Sequence, residues 1–263
     1  TAILLGTAKY LAETRSFDGT VVLIFQPAEE GGGGAKAMIA DGMMDRWNIQ
    51  EVYGMHNWPG IPVGQFAVRE GAQMAAADFF EIRITGKGGH AALPHLAIDT
   101  TLVASHVVVA VQSIVSRNVD PLKAVVVSIC GMRSDSNTFN VIPEGIILRG
   151  TVRYFDPMVQ TPIINRLTKL VENTAKAFGA SAEVAYMPCV PPTINSPEAA
   201  ARAADVALII SGSVIRDQEP VMPGEDFADM LTERPGAFLF FGNGDSAALH
   251  NPAYEFNDDA IPA

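Results

Sequence analysis

Two kinds of strand occur in this chain, and one sheet cannot serve both. Thr20-Val21-Val22-Leu23-Ile24-Phe25-Gln26 is a short, continuous apolar and β-branched run, the pattern of a strand buried on both faces of a parallel sheet. Phe80, Ile82 and Ile84 instead alternate with Glu81, Arg83 and Thr85, which gives a strand with one wet face. Around the first kind, Ile3, Leu4, Ala8, Leu11 and Ala12 recur at helical spacing and predict a helix to about Arg15. A second helix is expected over residues 35–47, with further strands over 51–56 and 63–69. Around the second kind, helices over 99–117 and 158–178 and strands over 123–130, 145–155 and 181–187 complete a β-α-β-β-α-β order. Gly179 stands where a left-handed cap ends the second of those helices. Past the Pro-rich segment 188–192, a helix over 197–211 and a strand over 237–241 return to the first pattern. The expectation is an α/β chain in which residues 1–72 and 188–263 form one domain. Residues 73–187 form a ferredoxin-like domain inserted into it.

A length of 263 residues accommodates two domains of roughly 100–200 residues each. The net charge of −11 argues against nucleic acid or an anionic membrane as the main partner, because both require a basic footprint. With hydrophobic residues at 48% and charged ones at 18%, there is enough to bury that wholesale disorder is excluded. No uninterrupted apolar run reaches the roughly 18 residues that span a bilayer. Cys130 and Cys189 are the only cysteines, too few for a disulfide framework, and a reducing, cytoplasmic location is expected. The chain opens at Thr1 directly in a helical pattern, and both ends are expected to be cuts through a longer protein.

Gln26-Pro27-Ala28-Glu29-Glu30-Gly31 places two adjacent carboxylates just past the end of a strand, the edge at which open α/β sheets bind ligands. In an extended segment neighbours point opposite ways, so one carboxylate can hold a cation while the other moves a proton. A solvated acidic loop accounts for the same residues equally well. His56 ends the next strand and His250 follows the strand at 237–241, so both stand at strand outlets. Two imidazoles and a carboxylate suit Zn, Mn, Co or Ni. The glycines Gly31–Gly34 do not make a phosphate loop, because no Gly-Lys-Ser/Thr ending follows and Glu29 and Glu30 repel phosphate. His90, in a second glycine-rich loop, is either a donor to an oxyanion or part of a plain surface loop. Asn140 and Arg153 lie on or beside strands, and Arg153 offers a fork for a carboxylate or lines a solvated face.

Taken together, these stretches resemble peptidase family M-twenty, the co-catalytic metallopeptidases and amidohydrolases. Within it they resemble the branch of hippurate hydrolases and N-acyl-amino-acid amidohydrolases. The resemblance runs through Gln26-Pro27-Ala28-Glu29-Glu30, Gly54-Met55-His56-Asn57, Gly86-Lys87-Gly88-Gly89-His90-Ala91-Ala92, Asn140-Val141-Ile142-Pro143, Gly224-Glu225-Asp226-Phe227 and Leu249-His250-Asn251-Pro252. It implies a three-layer catalytic domain with an inserted lid and dimerisation domain, two divalent ions (Zn, Mn, Co or Ni), and cleavage of N-acyl-amino acids to a carboxylic acid and an amino acid. It further implies Glu29 as general base, Glu30, His56 and His250 as metal ligands, and His90 as the lid histidine that stabilises the oxyanion. Asn140, Arg153 and Glu225 match substrate-binding positions. The family's other metal-binding stretch, Cys-Gly-His-Asp-Gly-His, precedes the position of Thr1, so the chain as given is expected to be crippled. The competing expectation is a non-catalytic ligand-binding or dimerisation module on the same scaffold.

Overall fold

The computed structural model describes residues 1–262. The chain divides into two compact units, residues 1–74, 193–221 and 225–263 in the first, and residues 75–192 with 222–224 in the second.

The first unit opens with helices α1 (Ala2–Thr14), α2 (Gly34–Ala40) and α3 (Met43–Arg46). The helix expected over 35–47 is thus two short pieces, because Gly42 adopts a left-handed φ of 81° between them. Strands β1 (Val52–Trp58), β2 (Phe66–Ala67) and β3 (Gly71–Met74) follow. Of the strand expected over 63–69, only β2 pairs in the sheet.

The second unit comprises β4 (Ala76–Thr85), β5 (Gly89–His90), α4 (Thr100–Asn118), β6 (Val125–Ser134), β7 (Val141–Ile142), β8 (Gly145–Tyr154), α5 (Gln160–Ala177) and β9 (Ser181–Val190). Its four long strands form an antiparallel sheet in the order β6-β8-β4-β9. Phe80, Ile82 and Ile84 turn inward, with Leu148 and Val152 of β8, onto the apolar stripes of α4 and α5. Glu81 and Arg149 pair on the other face, Nε to Oε2 at 3.0 Å. By length and composition α4 is apolar enough to cross a bilayer, yet it buries Val103, Val107, Val111 and Ile114 in this core.

The chain then returns to the first unit with β10 (Thr193–Asn195), α6 (Pro197–Ser211), β11 (Val214–Ile215), α7 (Phe227–Glu233) and β12 (Gly236–Gly242). The main sheet runs β1-β12-β2-β11, with β1 and β12 parallel from Val52 opposite Gly236 to Trp58 opposite Gly242. Every residue of β12 is buried, and its alternation divides the core into two layers. Phe238 and Phe240 join Met43, Met44, Phe227 and Met230 on one face, while Ala237, Leu239 and Phe241 join Ala200, Ala204 and Ala207 of α6 on the other. Helices therefore cover both faces of this sheet.

Residues 20–26 form no strand, contrary to the expectation from their apolar run. A strand requires a partner, and a cavity of about 1370 Å³ lies between residues 20–24 and residues 52–57 of β1. Only Val22 and Ile24 of the segment lean onto the core.

Candidate active site

The loop between Gln26 and α2 is shaped by backbone geometry rather than by sheet pairing. Ala28, Gly31 and Gly33 all take left-handed φ values (54°, 85° and 68°). Gly31 N–H donates to the Glu29 carbonyl at 2.5 Å and Gly32 N–H to that of Ala28 at 3.0 Å. A Cβ on Gly34 would stand 1.7 Å from the Pro27 carbonyl oxygen, so the loop closes only with glycine there. The glycine run is the means of folding this tight turn.

Glu29 and Glu30 do diverge, but not through the alternation of an extended segment that the sequence suggests. They diverge because they sit at the tip of a turn. Glu29 is half-buried, and its carboxylate lies with those of Glu225 and Asp226, one oxygen from each within 4.8 Å of the others. Glu30 is exposed and faces His250, Oε1 to Nε2 at 3.7 Å. His250 holds a left-handed φ of 62° in a turn closed by Asn251 N–H donating to Ala248 O at 3.1 Å. Non-glycine residues in that region concentrate at functional positions.

His56 leaves the end of β1 into the large cavity, whose wall also includes Glu29 and Glu225. Its Nδ1 stands 2.6 Å from the Asn57 carbonyl oxygen, which must accept, so Nδ1 carries the proton and Nε2 keeps its lone pair. That is the tautomer a metal-binding imidazole needs. The Asn57 side-chain amide donates to the Tyr254 hydroxyl, tying the end of β1 to the turn that carries His250. Among the described residues, Glu29, Glu225 and Asp226 are the one group of three or more ligand side chains within 4.8 Å of one another; Glu30, His56 and His250 do not reach that closeness.

The electrostatics follow from the packing. Burial above all, then the neighbouring Glu30 and Asp226 charges, raise the Glu29 carboxyl above its ordinary range, while His250 and the Asp226 N–H pull it back. Glu225 is 7% exposed and burial, with Glu29 beside it, pushes it up to about 7. Crowded carboxylates of this kind are relieved by a cation, and the donor set fits one: oxygen ligands on one side of the turn, an imidazole facing Glu30, and a bare Nε2 on His56.

The remaining sequence candidates lie in the second unit. Pairing of β5 with β7 sets His90 opposite Val141, and Ala91 N–H donates to Asn140 O at 2.9 Å, so His90 and Asn140 are brought together. His90 Nδ1 accepts from the Ala92 N–H at 3.1 Å, which leaves Nε2 as the protonated, exposed donor. Arg153 projects from β8, its Nε donating to Thr151 Oγ1 at 3.2 Å. Sequence reasoning assigned nothing to Asp226, Gln26 or Tyr254. The first two stand in motifs it singled out, but their pairing joins residues 200 positions apart.

A sheet sheathed by helices on both faces, with a carboxylate cluster of Glu29, Glu225 and Asp226 and with His56 at the end of β1 lining the same cavity as Glu29 and Glu225, fits an α/β metallopeptidase fold. The model described as Peptidase family M20/M25/M40 matches residues 1–263, and the chain belongs to that family. It is 41% identical over 262 residues to an N-acetyl-L-cysteine deacetylase of Bacillus subtilis, covering 99% of this chain and 62% of that protein. It is 38% identical over 263 residues to a hippurate hydrolase of Campylobacter jejuni, covering 99% of this chain and 68% of that one. Among solved structures, the Bacillus subtilis YXEP protein, a dinuclear metal-binding peptidase of the M20 family, superposes with a TM-score of 0.81 at 31% identity, covering 99% of this chain and 66% of that one.

Proposed function

We propose that this chain is the larger part of a metal-dependent amidohydrolase that cleaves the amide bond of N-acyl-amino acids, hippurate-like, to a carboxylic acid and a free amino acid. The observation that carries this reading is the split at the turn tip, where Glu29 faces a buried acidic pocket and Glu30 faces His250. Glu30, His56 and His250 would hold a divalent ion, Zn, Mn, Co or Ni, within a dinuclear centre. Such ions polarise the scissile carbonyl and acidify water. Glu29, whose raised proton affinity brings it nearer neutrality, takes the proton from water and delivers it to the leaving amine nitrogen. His90 offers its Nε2–H to the developing oxyanion. Asn140 and Arg153 read the carboxylate of the amino acid, and Glu225 lines the substrate side of the pocket.

The second unit, with its βαββαβ order and β6-β8-β4-β9 sheet, serves as a ferredoxin-like lid and dimerisation domain. The presence of only two cysteines supports a cytoplasmic location. Glu29→Gln in the intact protein is expected to lower kcat by about 10²–10⁴-fold with metal content unchanged. A variant with normal turnover removes Glu29 from the reaction. Metal analysis of the 263-residue chain itself separates two cases: tightly held ions mean that the ligands present suffice, and none means that this chain alone is crippled.

A further inference from the structure

We propose that Asp226 is a positioning residue, whose buried carboxylate clasps both ends of the loop that carries Glu29 and Glu30. The proposal rests on the hydrolase reading for its kinetic consequence and on the structure alone for the clasp. Asp226 is 1% exposed. Its Oδ1 accepts from Gln26 Nε2 at 2.6 Å, at the entrance of the loop, and its Oδ2 accepts from the Ala35 N–H at 3.2 Å, at the exit. Its backbone N–H donates to the Glu29 carboxylate. One residue at the start of α7 therefore holds the two feet of the loop and touches the group at its tip.

The loop needs such an anchor. Residues 20–26 pair with no strand, and residues 28–33 include three left-handed positions, so neither a sheet ladder nor a helix fixes where Glu29 points. The Ala35 N–H belongs to the first turn of α2 and has no partner within its own helix. Without Asp226 it and the Gln26 amide would lose a charged acceptor in a buried setting. A general base acts only within hydrogen-bond reach of the proton it takes, so an ångström of drift in the loop is a kinetic defect before it is a folding defect.

The donor and acceptor roles can be exchanged without changing total charge. In Q26E/D226N the amide introduced at position 226 would donate to the carboxylate introduced at position 26, while the amide oxygen still accepts from the Ala35 N–H. Q26E alone sets carboxylate against carboxylate, whereas D226N alone keeps both contacts once the Gln26 amide turns over, its oxygen accepting from the amide introduced at 226. In the intact, metal-loaded protein, Q26E is expected to lower kcat by about 10²-fold with KM little changed, D226N to lose far less, and the double variant to recover most of the Q26E loss. Amide hydrogen exchange over residues 28–35 is expected to quicken in Q26E, to stay close to wild type in D226N, and to slow again in the double variant. Q26A, which removes one foot only, keeps the test open should Q26E fold poorly; it is expected to quicken exchange and lower kcat to a smaller degree.

Wild-type exchange in Q26E and Q26A, or a double variant no better than Q26E alone, overturns the clasp. Absence of amide hydrolysis in the wild-type protein would overturn the hydrolase reading, while the exchange data would still decide the clasp.

Discussion

Asp229 lies on the buried side of α7, three residues past the clasp, and its Oδ2 has no hydrogen-bond partner. The Lys36 ammonium stands 3.9 Å from Oδ1. Burial pushes the Asp229 carboxyl up to about 6, with Asp226 adding to the rise and Lys36 opposing it. Because its folded value lies above the unfolded 3.8, the folded state binds the proton more tightly over that interval. The stabilisation is complete below about pH 4 and is lost as pH rises through about 6, about 3 kcal/mol for a shift of this size. Asp229→Asn is expected to abolish that slope and to raise stability at neutral pH by on the order of 1–2 kcal/mol, read from urea melts at pH 4 and pH 7. An unaltered slope in the variant would assign the pH dependence to other groups. Nothing in the sequence distinguishes Asp229 from a solvated helix carboxylate, since its burial is set by the fold of α7 against α2 and β10. His56 at the end of β1 and His250 after β12, by contrast, have a placement visible in the order of residues alone, whereas Glu29 and Glu30 stand in a recognisable motif but follow no strand.

Elements whose own residues specify their ends are readable from sequence. Helix α6 runs from Pro197 to Ser211 as expected, with Ser196 capping the Ala199 N–H, proline in the first turn and Gly212 in the left-handed cap. The alternation in β4 reveals its inward face for the same local reason. Elements defined by a distant partner are hidden. Strands β3 and β10 pair across some 120 residues, and residues 20–26 look like a strand yet lack one to join. In the second unit, the buried Asp78 links four segments. It accepts from Tyr154 Oη at 2.9 Å, Tyr186 Oη at 2.8 Å, Gln160 Nε2 at 2.9 Å and the Cys189 N–H at 3.2 Å. Burial and the adjacent carboxylate hold both phenols protonated. Asp78→Ala takes the acceptor from two hydroxyls, the Gln160 amide and the Cys189 N–H at the edge of the core, and is expected to cost about 3–5 kcal/mol in thermal or urea melts. Tyr154→Phe, which removes a single donor, is expected to cost about 1 kcal/mol. Equal losses for the two variants would mean that Asp78 is not the node of the network.

At the scale of the whole molecule, the sheet order of the second unit leaves β6 and β9 as its outer strands. An outer strand of ten residues presents a row of unpaired backbone groups, which soluble proteins either cover or twist away. The register shift between Ile129 and Gly131 kinks β6 in its middle, and residues 130–133 beyond it are exposed. Met132 is 48% exposed, and on α4, which packs beside β6, Val109 is 73% exposed. We therefore expect the homodimer proposed for this unit to form across the β6 edge and the outer side of α4, where a second copy would bury these side chains. In light scattering the intact protein should show twice the mass of one chain. Met132→Lys combined with Val109→Asp should shift it toward one, with a melting temperature little changed by substitutions at such exposed positions. A wild-type protein that stays monomeric at high concentration would remove the dimer. A double variant that dimerises as tightly as the wild type would move the interface to another surface.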